Sequence, residues 1–323
     1  MLRYLVRRVL FMVLVLLMVS LLTFLIFVKL PAGDPARRAT GKTSTPEQIE
    51  NARRAFGLDR PLYVQYARFA KGLIPWPGLF LSEDVYYSYG NFVAVKEEIA
   101  RRLPVTATLA VGAATVWLLI GIPVGVLAGV KRRSPASRLA MFLAIVGVSM
   151  PVFWLGQLLL YVFWFQLGWA PSSGLEIGES VPAAILSGSF ILPWITVAIG
   201  YAAIYARMTR SNVIETMSED YIRTARAKGL PERTVIGRHG LRGALTPIVT
   251  MLGLDLGTLL GGLFITEALF GLPGIGSLAV DSIARQDFPM VMGVTVLGAL
   301  FIAIANLIVD VAYAALDPRV RYT

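Results

Sequence analysis

The sequence predicts an all-α membrane protein: six transmembrane helices, with a small extracytoplasmic cap after the first. Three observations predict this. Of 323 residues, 56% are hydrophobic and 15% charged, with a mean hydropathy of +0.67. No soluble domain needs that much apolar surface. Uncharged runs of membrane-spanning length recur along the chain. Lys and Arg gather in alternate connections between those runs.

The first run is Val9 to Val28. It is longer than a signal-peptide core and no small-x-small cleavage site follows, so it is read as a retained span. The segment from Pro31 to Leu103 is the cap. Thr45, Pro46 and Gln48 form a capping-box start, and Ile49, Ala52 and Phe56 share a helical face before Gly57. A second cap helix starts at Pro61, with Leu62, Tyr66, Phe69 and Leu73 on one face. Pro75 to Tyr89 is irregular, and its Trp76 and tyrosines suit an interfacial belt or an external partner.

The second run is Leu103 to Val130, where Gly121, Gly125 and Gly129 make a stripe for close helix approach. The third begins at Leu139 and continues past Leu167; the fourth is Ser180 to Ala206. Pro151 and Pro193 are expected to kink or interrupt them. The fifth, Gly243 to Thr266, carries the single charge Asp255 and a second glycine stripe at Gly253, Gly257 and Gly261. The sixth is Phe288 to Val309. About 20 residues at 1.5 Å each cross a hydrocarbon core of about 30 Å.

Six spans put both termini on one side. With the termini inside, the inner segments hold Arg3, Arg7 and Arg8; Lys131, Arg132, Arg133 and Arg138; eight basic residues from Arg207 to Arg242; and Arg319 and Arg321. The short outer loops hold none and one, Arg285. Basic residues in the Pro31 to Leu103 segment do not count against this, because segments longer than about 60 residues translocate regardless of charge. The net charge of +10 therefore reports topology, not nucleic-acid binding.

Several chemistries are excluded. With no cysteine there is no disulfide framework and no thiolate metal site. The single histidine, His239, has no carboxylate cluster around it in sequence, so no metal site is assigned. Ala36 to Thr43 imitates a phosphate loop, but a membrane span and Pro35 precede it where a strand is required. No serine–histidine pair lies within a span, and no catalytic residue is assigned.

Charge inside a span is informative, because a carboxylate at the bilayer centre costs about 2.5–3.5 kcal/mol on insertion scales. At 100° per residue, Asp255 shares a face with Thr258, Gly262 and Thr266. Two readings stay open for Asp255: lining a pore, or a structural hydrogen bond to another helix. Asn306 and Asp310 share a face near the inner end of the sixth span, where Asp310 is close to Arg319 in sequence.

The stretch Asp220 to Gly243, DYIRTARAKGLPERTVIGRHGLRG, reads as helix, glycine break, helix. Ser218 is placed to cap the first helix, with Glu219 and Asp220 in its first turn. Gly229 gives a left-handed stop and Pro231 restarts a helix. An ordinary arginine-rich inner loop is the bland alternative.

This loop, continued to Thr250, resembles the cytoplasmic coupling loop of bacterial ABC-importer permeases of the dipeptide/oligopeptide class. The resemblance extends nearly end to end: RYLVRR and SLLTFLIFVKLPAGDP, GLDRPLYVQY, RLPVTATLA, GIPVGVLAG, DLGTLLGGLFITEALFGLPGIG and NLIVDVAYAALDPRVRY all match the class. It implies a type I importer fold. It also implies a second homologous permease, two cytoplasmic ATPase subunits that hold ATP and Mg, and an extracytoplasmic binding protein that delivers cargo. The chain itself binds no cofactor on this reading.

The resemblance further implies that Arg223, Thr224, Ala225, Lys228, Gly229, Leu230 and Pro231 dock on an ATPase subunit; Asp255, Thr258 and Thr266, on the polar face of the fifth span, are the candidates for lining the pore. Arg223 replaces the class's usual Glu, and the segment Leu79 to Phe92 departs from its short acidic-glycine motif. The implied organisation is residues 1–30 for the inner N-terminus and first span and 31–103 for the cap. The permease core is 104–316 with its coupling loop at 207–245, and 317–323 is an inner tail. The cargo implied is a dipeptide or oligopeptide; nickel chelates, glutathione and oligosaccharides are alternatives within the class. A self-sufficient secondary transporter using Asp255 or Glu267 is the rival outside it. The implied location is the bacterial inner membrane, multi-pass.

Overall fold

The structure is a computed structural model and describes residues 2–29, 35–40, 44–55, 57–72, 87–88, 93–171, 174–175 and 180–316. Among them the chain is helical, apart from an isolated antiparallel bridge between Tyr87 and Ala94. The elements are α1 (Leu2–Phe24, continued by a π-turn to Lys29), α2 (Pro35–Thr40), α3 (Pro46–Ala55), α4 (Leu62–Lys71), α5 (Val95–Val130) and α6 (Pro135–Ser149). Next come α7 (Val152–Leu159, extended in π geometry to Gln166), α8 (Val181–Leu186), α9 (Ile191–Thr216) and α10 (Asp220–Ala227). α11 (Glu232–Thr234) passes through a π-turn, Val235–Gly240, into α12 (Leu241–Leu260); α13 (Phe264–Leu269), α14 (Ile275–Ala284) and α15 (Phe288–Leu316) complete the order.

Among the described residues five helices are long and apolar enough to cross a membrane, and the pair α6 and α7, bent by 103° at its break, is a sixth candidate. The bend sits at Met150 and Pro151, both extended, because proline disfavours helical backbone before it. Pro193 behaves otherwise. It lies in the first turn of α9, where its missing N–H is no loss. The interruption comes earlier, at Gly188 with φ 85°, after Ser180 has capped α8. The fourth span is therefore Ile191–Thr216, not Ser180 to Ala206. The fifth is displaced too: it runs from Glu232 and ends at Leu260.

The chain divides into two compact units. The first comprises Met1–Thr106, Gly257–Phe264 and Pro273–Thr323. Its core joins Phe24, Phe69, Val95, Ile99, Ile275, Leu278 and Met290. α1 lies along α15, and Arg8 pairs with Asp310 at 2.8 Å; Arg319, expected near Asp310, lies outside the described residues. Near the other end of α1, Ser20 and Tyr66 share a 3.1 Å hydrogen bond and the Phe24 ring meets those of Tyr66 and Phe69.

The cap thus packs its second helix on the first span. The reciprocal bonds of the capping box are present: Thr45 N–H donates to Gln48 Oε1 at 2.9 Å, and Gln48 N–H to Thr45 Oγ1 at 3.3 Å. Gly57 closes the first cap helix at φ 66°. The second uses Pro61 as its cap and begins at Leu62. Leu62 is exposed while Phe69 is buried; Phe56, Leu73 and most of Pro75 to Phe92 lie outside the described residues. Ser88 donates to Asp287 and fixes the end of the cap just ahead of α15.

The second unit comprises Ala107–Leu256 and Ile265–Leu272. Here the first glycine stripe does what its spacing predicts. A Cβ on Gly121 would meet Ala202 O at 2.9 Å, one on Gly125 would meet Ala206 O and Thr209 Cβ at 2.6 Å, and one on Gly129 would meet Val213 at 2.8 Å. α5 and α9 therefore touch backbone to backbone. Outward from this contact, α6 presents Leu139, Phe142 and Ile145, all exposed, as a surface suited to lipid.

Candidate functional site

The segment after α9 folds into a small self-braced knob. Ser218 does not cap α10; its hydroxyl donates back to Ile214 O at 2.9 Å, the local bond that competes with capping. Glu219 occupies the cap position with no side-chain bond. Ile222 and Ala225 turn inward onto Val235, with Met217 beside them. These three side chains are 0%, 6% and 0% exposed, so a loop of modest length carries its own apolar interior.

The turn that follows is set by backbone geometry. Gly229 has φ 74°, its N–H donates to Arg226 O at 2.9 Å, and Leu230 N–H donates to Ala225 O at 3.4 Å. This is the bonding of a left-handed helix stop. A Cβ on Gly229 would meet nothing within 4 Å, so glycine is favoured there by dihedral angle and not by space. Pro231 is the cap of α11 and not its first helical residue. Across this turn Arg226 clasps Glu232 with both nitrogens, Nη2 to Oε1 at 2.7 Å and Nε to Oε2 at 3.2 Å. The Glu232 hydrogen bond raises the guanidinium's proton affinity further. Burial, then the Glu219 carboxylate, pushes the Tyr221 phenol up, so it stays a hydroxyl donor at neutral pH.

Of the residues predicted to dock, Arg223, Thr224, Lys228, Gly229, Leu230 and Pro231 are exposed. Ala225 is not: it belongs to the knob's interior. Arg223 makes a loose 3.5 Å pair with Asp220, worth little at such exposure. The clasp and the Val235 contact escaped sequence reasoning, because Arg226 and Glu232 are six apart across a turn and outside the helical pairing rule.

Within the spans, Asp255 accepts a 2.6 Å hydrogen bond from Tyr205 Oη. Tyr205 is fully buried and its ring lies 5.7 Å from Trp117, on which Tyr201 stacks at 4.6 Å. Of the two readings left open for Asp255, the helix-to-helix hydrogen bond is present in the structure. The continuous polar stripe is not. α12 ends at Leu260 and Gly262 has φ 129°, so Thr266 belongs to the next helix, where it is 2% exposed. Thr258 remains exposed on α12. Residues 36–40 are helical, unlike a phosphate-cradling loop after a strand; Gly41 to Thr43 lie outside the described residues.

Comparison with known proteins places this geometry. Residues 121–322 match the family described as the binding-protein-dependent transport system inner membrane component. Residues 1–110 match its N-terminal companion. The glutathione transport system permease protein GsiC of Salmonella paratyphi A is 40% identical over 322 residues, covering the whole of both chains. Its counterpart in Escherichia coli K12 is 40% identical over 323 residues, again the whole of both. Six apolar segments, a basic braced knob and these end-to-end matches agree, and the chain belongs to the inner membrane components of binding-protein-dependent transport systems as a non-catalytic permease subunit of an ABC importer.

Proposed function

We propose that the chain forms half of the pore of an importer for short peptides, tripeptides such as glutathione included, and that it receives the work of ATP hydrolysis through Asp220 to Gly243. One observation carries this reading: the knob holds its exposed residues Arg223, Thr224, Lys228, Leu230 and Pro231 on a stub braced by its own core and clasp. A stub braced in this way transmits motion as a rigid body. The partners in this reading are a second homologous permease, two ATPase subunits carrying ATP and Mg, and an outer binding protein. Both termini face the cytoplasm, as the basic residues of the short loops favour.

The cargo reading joins two supports. The resemblance favours dipeptides and oligopeptides, and the named relatives are glutathione permeases. Both cargoes are short zwitterionic peptides. In the pore, Asp255 is held by Tyr205 and Thr258 is exposed, and these two are the lining residues proposed; buried Thr266 is not.

The test is purification of the complex from cells expressing the chain with its neighbouring subunits. ATP hydrolysis is then measured in vesicles with the binding protein and either glutathione or a dipeptide. Stimulation by one cargo identifies it. Purification without a second permease or ATPase, or uptake driven by a proton gradient alone, would sink the reading.

A further inference from the structure

A cavity of about 380 Å³ opens where the start of α10 faces the start of α12, lined by Tyr221, Arg238, His239, Arg242, Gly243 and Thr246. Two arginines and a histidine line it, and no carboxylate is among the lining residues. The loop's carboxylates are engaged elsewhere: Asp220 with Arg223 and Glu232 with Arg226. Glu219 acts on Tyr221 but does not line the cavity. Among the described residues, Arg238 and Arg242 are in no ion pair. Gly243 keeps the floor open, since a Cβ there would come within 3.0 Å of Tyr221 Oη and 3.2 Å of Thr216 Cγ2.

What continues from the cavity matters as much. Arg242, Thr246 and Val249 follow one another at helical spacing on one face of α12, and Val249 is 54% exposed. The basic recess therefore lies two turns from an exposed apolar side chain, Val249, on a membrane-spanning helix. Arginines fit the oxygens of a phosphate, and exposed Val249 beyond them suits contact with an acyl chain. A free phosphate uses only the first of these features.

We propose that this cavity binds the phosphate of an anionic phospholipid from the inner leaflet, holding the base of α12 at the membrane surface. Basic pockets beside spans on the cytoplasmic side are suited to such headgroups. The proposal rests on the cytoplasmic placement of the knob proposed above.

The test uses the whole complex, stripped of loosely held lipid and titrated with phosphatidylglycerol, with bound lipid and subunits read together by native mass spectrometry. Arg238→Gln combined with Arg242→Gln should weaken retention about thirtyfold, since each basic group near an anionic surface contributes about a factor of five. Arg132→Gln with Arg133→Gln, on another basic connection, should retain lipid as the parent does. Equal retention by the first variant overturns the proposal. So does displacement of the lipid by millimolar inorganic phosphate, which assigns the cavity to a soluble anion. Loss of ATPase subunits at undiminished lipid retention overturns it as well, and makes the cavity a basic docking patch for an acidic surface of those subunits. A cysteine introduced at exposed Gly237 reads orientation separately: labelling from outside intact cells faults the cytoplasmic placement, while the lipid titration still reads the chemistry.

Discussion

Tyr205 and Asp255, fifty positions apart, meet across α9 and α12 in a 2.6 Å hydrogen bond. A bond to a charged group contributes about 1.5–3 kcal/mol. Tyr205→Phe removes the donor and leaves the carboxylate short of a partner. Asp255→Asn keeps an acceptor for the hydroxyl. Tyr205→Phe should therefore lower the melting temperature of the purified complex more than Asp255→Asn does. The opposite order would show that the carboxylate, not the bond, is what the bundle needs.

Gly229 isolates backbone angle from packing. Because a Cβ would touch nothing within 4 Å, Gly229→Val should fail through strain at φ 74° alone, about 1–3 kcal/mol. Gly229→Asn tolerates that angle and should keep most cargo-stimulated ATP hydrolysis. Equal activity of the two variants would remove the left-handed turn from the coupling argument.

The glycine stripe makes a steric prediction. Gly125→Val places carbon against Ala206 O and Thr209, where the backbones cannot part without separating α5 from α9. Overpacking costs about 1–3 kcal/mol even where neighbours can adjust, so this variant should be recovered from membranes at much lower yield. Gly200→Ala, with nothing within 4 Å, should be recovered normally.

Arg8 and Asp310 tie the first span to the last. The pair is part-exposed, so its contribution is about 1 kcal/mol or less. Arg8→Glu should lower the melting temperature slightly, and Arg8→Glu with Asp310→Arg should restore it. Absence of rescue would show that α1 is held by its apolar face alone.

The chain has no cysteine, which allows a direct test of topology. Ser44→Cys should react with a membrane-impermeant thiol reagent in intact cells, and Arg132→Cys should react only after lysis. Arg132 is preferable to Ser134, whose hydroxyl caps α6 by accepting from Ser137 N–H at 3.1 Å. Labelling in the reverse pattern would overturn the assignment of sides.

What the sequence made legible was whatever has a fixed spacing. The capping box at Thr45 and Gln48, the stripe from Gly121 to Gly129, the left-handed Gly229 and the break at Pro151 all follow from local rules. The misses came from effects that spacing does not contain. A Pro inside an apolar run looks like a kink, but Pro193 follows a glycine break and simply begins a helix. Gly262 looks like part of one helical face with Asp255, Thr258 and Thr266, yet Gly276 Cα would lie 3.0 Å from a Cβ there and the helix stops before it. Ala225 reads as a docking residue in the loop pattern, whereas only the fold shows Val235 covering it. The exposed face of the knob is thus legible as composition, and its bracing is not.

The clasp between Arg226 and Glu232 has one more consequence. Both partners are exposed, at 42% and 54%, so their attraction is screened as ionic strength rises, with a Debye length of about 8 Å at physiological salt and 3 Å at 1 M. The contact of Ile222 and Ala225 with Val235 carries no charge and is not weakened in this way. The knob therefore has two fastenings that respond differently to salt: concentrated electrolyte slackens the outer one while the inner one holds.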